Sequence, residues 1–278
     1  MAFQRDALTA ACNIGLLLVA ASLVLSGCSP SGSRTTLTLA GSTSVQPFAE
    51  ILAEEFMTNH HGVSVNVQGG GSSTGYRAAK SGAAQIGMLS RRLKAEEADV
   101  IPVTIATDAI AVVVHASNPV SGVTTAQLRG IFTGEIRNWR FAGGPDRPIH
   151  VITREDGSGT RGSFDETVIG DGMVMSSAVV QDSNGAILET VASDPNAIGY
   201  VSLGLVDDRV RAVALDGVPP THDTARSGEY KIVRPFIFAT RGKPAGIVKE
   251  FIDFVLSDHG QAVLEENGLI REKTGERQ

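Results

Sequence analysis

Cysteine is nearly missing from this chain, with two residues, Cys12 and Cys28, among 278. That count excludes a disulfide-stapled scaffold and a cysteine zinc site. Aromatic residues make up only 5% of the chain, and positive charge is in deficit. Lys and Arg number 24 against 30 Asp and Glu, for a net charge of −6 and a pI near 5.5. Nucleic acid as the main partner normally demands a basic surface, so that class is set aside. Six histidines lie scattered at 60, 61, 115, 150, 222 and 259 and form no metal motif, so no metal and no cofactor is expected. No Gly-Lys-Ser/Thr exists to complete a Walker A loop, and Thr74 stands where a dinucleotide fingerprint would need glycine. What the chain does hold is 31 glycines and 42% hydrophobic residues, enough for one large or two modest cores.

An apolar run, IGLLLVAASLVL (14–25), follows Arg5 and is short for a membrane span. It leads to Leu25-Ser26-Gly27-Cys28, which resembles a bacterial lipobox. The expectation is a lipoprotein signal peptide over 1–27, cleavage before Cys28 and lipidation of its thiol. SPSGSRTT then reads as a tether within 28–36, polar and turn-rich. Cys12 would leave with the signal and Cys28 be consumed by lipid, which places the working chain outside the cytoplasm on a membrane face.

Beyond the tether, strands and helices alternate. LTLAG (37–41), VSVNVQ (63–68), QIGML (85–89), PIHVIT (148–153) and AIGYVSL (197–203) read as short strands. Helices are expected over 45–59, from the Gly/Ser loop to 83, over TTAQLRGIFTG, near 158–168 and 184–193, and from 244 to 267. Two apolar stretches, 101–115 and 230–240, are longer than ordinary strands. The alternation predicts an α/β fold.

Four strand ends carry one chemistry. Gly41-Ser42-Thr43-Ser44-Val45, Gly69-Gly70-Gly71-Ser72-Ser73-Thr74-Gly75 and Arg154-Glu155-Asp156-Gly157-Ser158-Gly159-Thr160-Arg161 each join a strand to a helix, and Ser90-Arg91 follows a fourth strand. Glycine bares backbone N–H groups, hydroxyls add donors, and helix N-termini add partial positive charge. One such loop alone is an ordinary N-cap turn. Four of them at the carboxyl ends of an α/β sheet converge where ligands collect, and they predict an oxyanion site. Gly71-Ser72-Ser73-Thr74-Gly75 also matches the G-x-S-x-G elbow, which leaves a serine hydrolase on Ser73, with His222 or His259 downstream, as an enzymatic alternative.

In order, GSTSVQPFAE, QGGGSSTG, QIGMLSR, REDGSGTR, SNGAI and NAIGYVSLG resemble the phosphate-binding proteins of bacterial ABC importers, the PstS family, over roughly 37–270. The resemblance implies a type II periplasmic-binding-protein fold, with two α/β lobes joined by two crossing strands and a ligand cleft between them. The crossings would be the two long apolar stretches. Lobe one would comprise 35–110 plus 236–270, and lobe two 116–230. Carried over by position, the phosphate contacts fall on Ser44, Val45, Ser72, Ser90 and Arg91 from the first lobe. Arg154, Ser158, Gly159 and Thr160 come from the second, with Asp156 beside the arginine. The implied partners are inorganic phosphate, the ABC permease and ATPase subunits, and the membrane through the N-terminal lipid. No catalytic residue is expected. Gln85 stands where many relatives carry an acidic residue, and Ser90 where some carry Asp. Asp156 is thereby the in-loop candidate for accepting the proton that phosphate carries and sulphate lacks. A binder of another tetrahedral oxyanion, or a phosphate sensor without a permease, are the remaining alternatives.

Overall fold

A computed structural model of the chain describes residues 34–272; the signal segment, Cys28 and most of the tether lie outside them. The chain begins with β1 (Thr35–Gly41), α1 (Gln46–Asn59), β2 (Val63–Gln68), α2 (Ser72–Ser81) and β3 (Ile86–Leu89). The long β4 (Ile101–His115) follows, then β5 (Gly122–Val123), α3 (Thr125–Thr133), β6 (His150–Arg154) and α4 (Gly159–Phe164). Next come β7 (Val179–Gln181), α5 (Asn184–Ser193), β8 (Ala197–Ser202), β9 (Val210–Ala212), β10 (Ala214–Leu215) and α6 (His222–Ser227). The chain closes with β11 (Val233–Thr240), α7 (Gly246–Val255), α8 (Asp258–Glu266) and β12 (Ile270–Arg271).

Among the described residues the main sheet runs β2-β1-β3-β11-β4-β8-β6-β7. β1 lies parallel to β2 and β3, and β6 parallel to β8 and β7, as strand-helix-strand units require. Between these parallel halves, β11 and β4 run antiparallel to each other, and these are the two long stretches that the resemblance assigns to the crossings. β4 pairs with β11 as far as Ala109 and with β8 from Ile110 onward, so it changes sheet partner between adjacent residues.

The apolar side chains divide accordingly. Leu37, Leu39, Phe48, Leu52, Phe56, Ile86, Phe236, Phe238 and Phe251 share one core. Ile110, Val112, Leu128, Phe132, Trp139, Phe164, Ile198 and Tyr200 share another on the far side of the crossing. The stretch expected as a single helix from 244 to 267 is two, because Ser257 caps a new start: its Oγ accepts the Gly260 N–H at 3.2 Å.

Glycine brings the site loops of the first lobe together. Gly41 has φ +139°, and a Cβ there would lie 2.2 Å from Met88 O and 2.7 Å from Gly75 Cα. A Cβ at Gly75 would lie 2.5 Å from that same carbonyl. Only bare backbone permits α2 to press onto the ends of β1 and β3, and this sets Ser42–Ser44, Ser72 and Ser90 side by side. At 85, the Gln side chain accepts the Thr38 N–H of β1 at 2.8 Å, an edge-binding role for which an amide oxygen suffices.

Candidate functional site

The hydroxyls predicted from the four loops meet. Ser42 Oγ donates to Ser90 Oγ at 2.8 Å, Ser72 Oγ lies 3.3 Å from Ser90 Oγ, and the Ser90 N–H donates to Ser72 Oγ at 3.0 Å. From the opposite lobe, Thr160 Oγ1 reaches Ser44 Oγ at 2.9 Å. Gly159 faces the other pair, and a Cβ there would fall 2.2 Å from Ser72 Oγ and 2.5 Å from Ser90 Oγ. Ser44, Ser72, Ser90, Ser158 and Thr160 are all buried, and Val45 is fully so. Such a concentration of enclosed hydroxyls is expensive unless something accepts their hydrogen bonds.

Arg154 ends β6 with its side chain buried. Nε and Nη2 donate to the two carboxylate oxygens of Glu155 at 2.9 and 3.1 Å, and Nη2 also reaches Thr43 Oγ1 in the other lobe and Asp182 O. Nη1 is buried and has no hydrogen-bond partner among the described residues. The backbone behind it is held by Tyr200, whose hydroxyl accepts the Arg154 N–H at 3.3 Å and lies 2.8 Å from Thr153 Oγ1. Burial pushes the Tyr200 pKa up to about 12, so this support stays neutral and protonated.

Two expectations are placed differently. Asp156 does not face the loops: its side chain is 93% exposed and pairs with Arg161 at 2.7 Å, while Glu155, the residue before it, takes the fork of Arg154. Arg91 is buried, but both its terminal nitrogens are spent on Glu97 at 2.7 and 2.8 Å, closing the turn after Ser90 rather than facing the hydroxyls. Ser158 is buried and also caps α4, accepting the Arg161 N–H at 3.2 Å through a lone pair, which leaves its own proton free to donate. The serine elbow is not assembled either. Ser73 gives its N–H to Gly157 O across the lobes, His259 stands at Glu55, His222 packs at Gly268, and no histidine bonds to Ser73 among the described residues.

Other residues at the site escaped the sequence reading. Asn184 donates from Nδ2 to Ser44 Oγ at 2.9 Å, and Thr43 joins Arg154. SNGAI carried Asn184 in plain view, but as the opening of a helix it signals only a cap. An open cleft of about 370 Å³, lined by Thr43, Gln46, Pro47, Ser183 and Asn184, adjoins this cluster.

Comparison with known proteins gives this geometry a family. Residues 29–259 match the family described as a PBP superfamily domain. The phosphate-binding protein PstS of Bacillus subtilis (strain 168) is 35% identical over 243 residues, covering 84% of this chain and 80% of its own. A substrate-binding protein assigned to phosphate ABC transport in Clostridium perfringens, solved with bound phosphate, superposes with a TM-score of 0.83 at 41% identity, covering 86% of this chain and all of its own. An ABC-type phosphate transport receptor from Vibrio cholerae follows at 0.72 and 37%, with 85% and 100% coverage. The chain belongs to the PstS family. Its architecture is accordingly the type II periplasmic-binding-protein fold. Among the described residues no helix is long and apolar enough to cross a membrane.

Proposed function

We propose that this PstS-family chain is an extracytoplasmic, lipid-anchored solute-binding protein that captures inorganic phosphate between its lobes and delivers it to the permease and ATPase subunits of an ABC importer. The observation that carries the reading is Arg154 Nη1, a buried guanidinium nitrogen without a partner among the described residues, set at the end of a strand among converging hydroxyls. A guanidinium cannot shed its proton, so an enclosed N–H of this kind calls for an anionic acceptor. Ser44, Ser72, Ser90 and Thr160 add donors that carry no charge. The bound ion then stays releasable, which transport requires and which a metal or a second unpaired cation would oppose. Among the described residues the site supplies donors and no histidine bonds to Ser73, so the reading is binding without catalysis.

The separate cores support a division into lobe one, 35–110 plus 236–270, and lobe two, 116–230, with ligand contacts drawn from both. Cys28 after its small-residue run supports the anchor. One observation favours a second reading: Asp156 points outward, which leaves the hydroxyl cluster without that carboxylate and suits a fully deprotonated oxyanion such as sulphate as well. Calorimetry of the soluble 29–278 fragment against phosphate, sulphate and molybdate decides between them. Tight phosphate binding with weak sulphate binding is the expected result; sulphate binding as tight as phosphate would replace the first reading with the second.

A further inference from the structure

An unbroken line of buried hydrogen bonds runs from the crossing strands to the hydroxyl cluster. Asp108 and Arg234 face each other in register on β4 and β11, one position before β4 changes sheet partner. Arg234 Nε and Nη2 donate to Asp108 Oδ2 at 2.9 and 2.8 Å, and both residues are essentially inaccessible. The other carboxylate oxygen, Oδ1, accepts from Ser202 Oγ at 2.8 Å at the end of β8. The Ser202 N–H donates to Asn184 Oδ1 at 3.3 Å, and Asn184 Nδ2 crosses the cleft to Ser44 Oγ at 2.9 Å and Thr43 Oγ1 at 3.5 Å. Ser44 Oγ in turn meets Thr160 Oγ1. Asn184, Ser202 and Ser44 are all at least 99% buried.

The direction of this line follows from its donors. The Ser202 N–H can only donate, so the Asn184 amide must turn its oxygen toward β8 and its nitrogen toward Ser44. Ser44 Oγ therefore spends a lone pair on Asn184, and its own proton is directed elsewhere, to Thr160 or to an anion. Opening the lobes would separate Asn184 from Ser44, and closing them remakes the bond.

We propose that Asn184 is a positioning residue that links the crossing-strand pair Asp108–Arg234, through Ser202, to the orientation of the Ser44 hydroxyl, so that lobe closure itself sets Ser44 as a donor to the bound anion. This rests on the phosphate-binding reading above. Ser202 and the ion pair hold Asn184 in place; Asn184 touches Ser44 and need not touch the ion.

Stopped-flow binding and release of inorganic phosphate by wild type, Asn184→Ala, Ser44→Ala and the double variant tests it, with the melting temperature of each ligand-free protein as control. Asn184→Ala is expected to weaken phosphate binding by about 10–100-fold, almost wholly through faster release, as interface losses generally are. Because Asn184 acts through Ser44, the double variant should lose no more than Ser44→Ala alone, a non-additivity that general destabilisation would not produce. Ser202→Ala cuts the strand link yet keeps every backbone bond, and should speed release several-fold even if Asn184→Ala fails to fold. An Asn184→Ala affinity within twofold of wild type, losses that simply add, or unchanged release in Ser202→Ala would each overturn the proposal. A wild-type protein that binds no phosphate would instead remove the reading on which it stands.

Discussion

Arg154 shows how a single side chain is prepared before any ligand arrives. Glu155 grips Nε and Nη2, Tyr200 anchors the backbone, and Nη1 is left over with a fixed direction. Much of the entropy of aiming a long side chain is thereby lost on folding rather than on binding. Replacing it by alanine should cost about 2–5 kcal/mol of phosphate affinity, the range for truncating one partner of an enclosed charge pair. Titration calorimetry reads this directly, and a loss below about 0.5 kcal/mol would place the residue outside the site. Asp156 behaves in the opposite way. Its carboxylate is 93% exposed and paired to Arg161, so solvent screens it and no donor or acceptor of the hydroxyl cluster depends on it. Asp156→Asn should therefore leave the phosphate-to-sulphate affinity ratio within about twofold of wild type, inside the roughly 0.5 kcal/mol expected of a surface change. A clear narrowing of the ratio in competition binding would return Asp156 to the site.

The turn that follows β3 carries its own pH signature. Glu97 is buried, which by itself raises its pKa, but two hydrogen bonds from Arg91, the Lys94 N–H and the positive charges together outweigh burial and hold the carboxyl below its ordinary value. A carboxyl lowered on folding contributes stability that is present above its unfolded pKa, about 4.3, and is lost as pH falls through the folded value. Glu97→Gln should thus lower stability by about 1–3 kcal/mol near pH 7. The gap in melting temperature between variant and wild type should close as pH drops below about 4. A gap that persists unchanged at low pH would show that the carboxylate charge contributes nothing.

Elements of this kind explain what could be read in advance. The site loops were legible because glycine and serine at a strand-to-helix junction are a local signal, spelled out within a few residues. The two long strands were legible because each stretch is long and apolar, while their role as crossings was implied by the family resemblance. Arg91, by contrast, offers the same residue type whether it faces a ligand or Glu97, and only the turn's closure decides. Asp108, Ser202 and Arg234 were invisible because their partners stand 94 and 126 residues apart in the chain. Their strands read simply as apolar, and nothing nearby hints at a buried charge.

At the scale of the whole molecule, the lobes are shut on one another. Ser44 meets Thr160, Asn184 meets Ser44, Arg154 meets Thr43, and Ser73 meets Gly157. Every one of these contacts joins polar groups that water would satisfy in an open form, so the neutral ones contribute about 0.5–1.5 kcal/mol each to closure and the charged Arg154 bond about 1.5–3 kcal/mol at most. An anion that draws donors from both lobes adds a far larger difference between the two states, and only such a difference moves the equilibrium. Phosphate should accordingly shrink the radius of gyration in small-angle scattering while raising the melting temperature. At a hundredfold excess over Kd the added stability is about 2.7 kcal/mol. The two readouts separate the possibilities. A higher melting temperature with an unchanged radius would mean that phosphate binds lobes already closed, with the crossing strands acting as a rigid bridge. A flat response in both would remove phosphate as the ligand. A smaller radius in the wild type but not in Asn184→Ala would locate the hold on the closed form at the bond between Asn184 and Ser44.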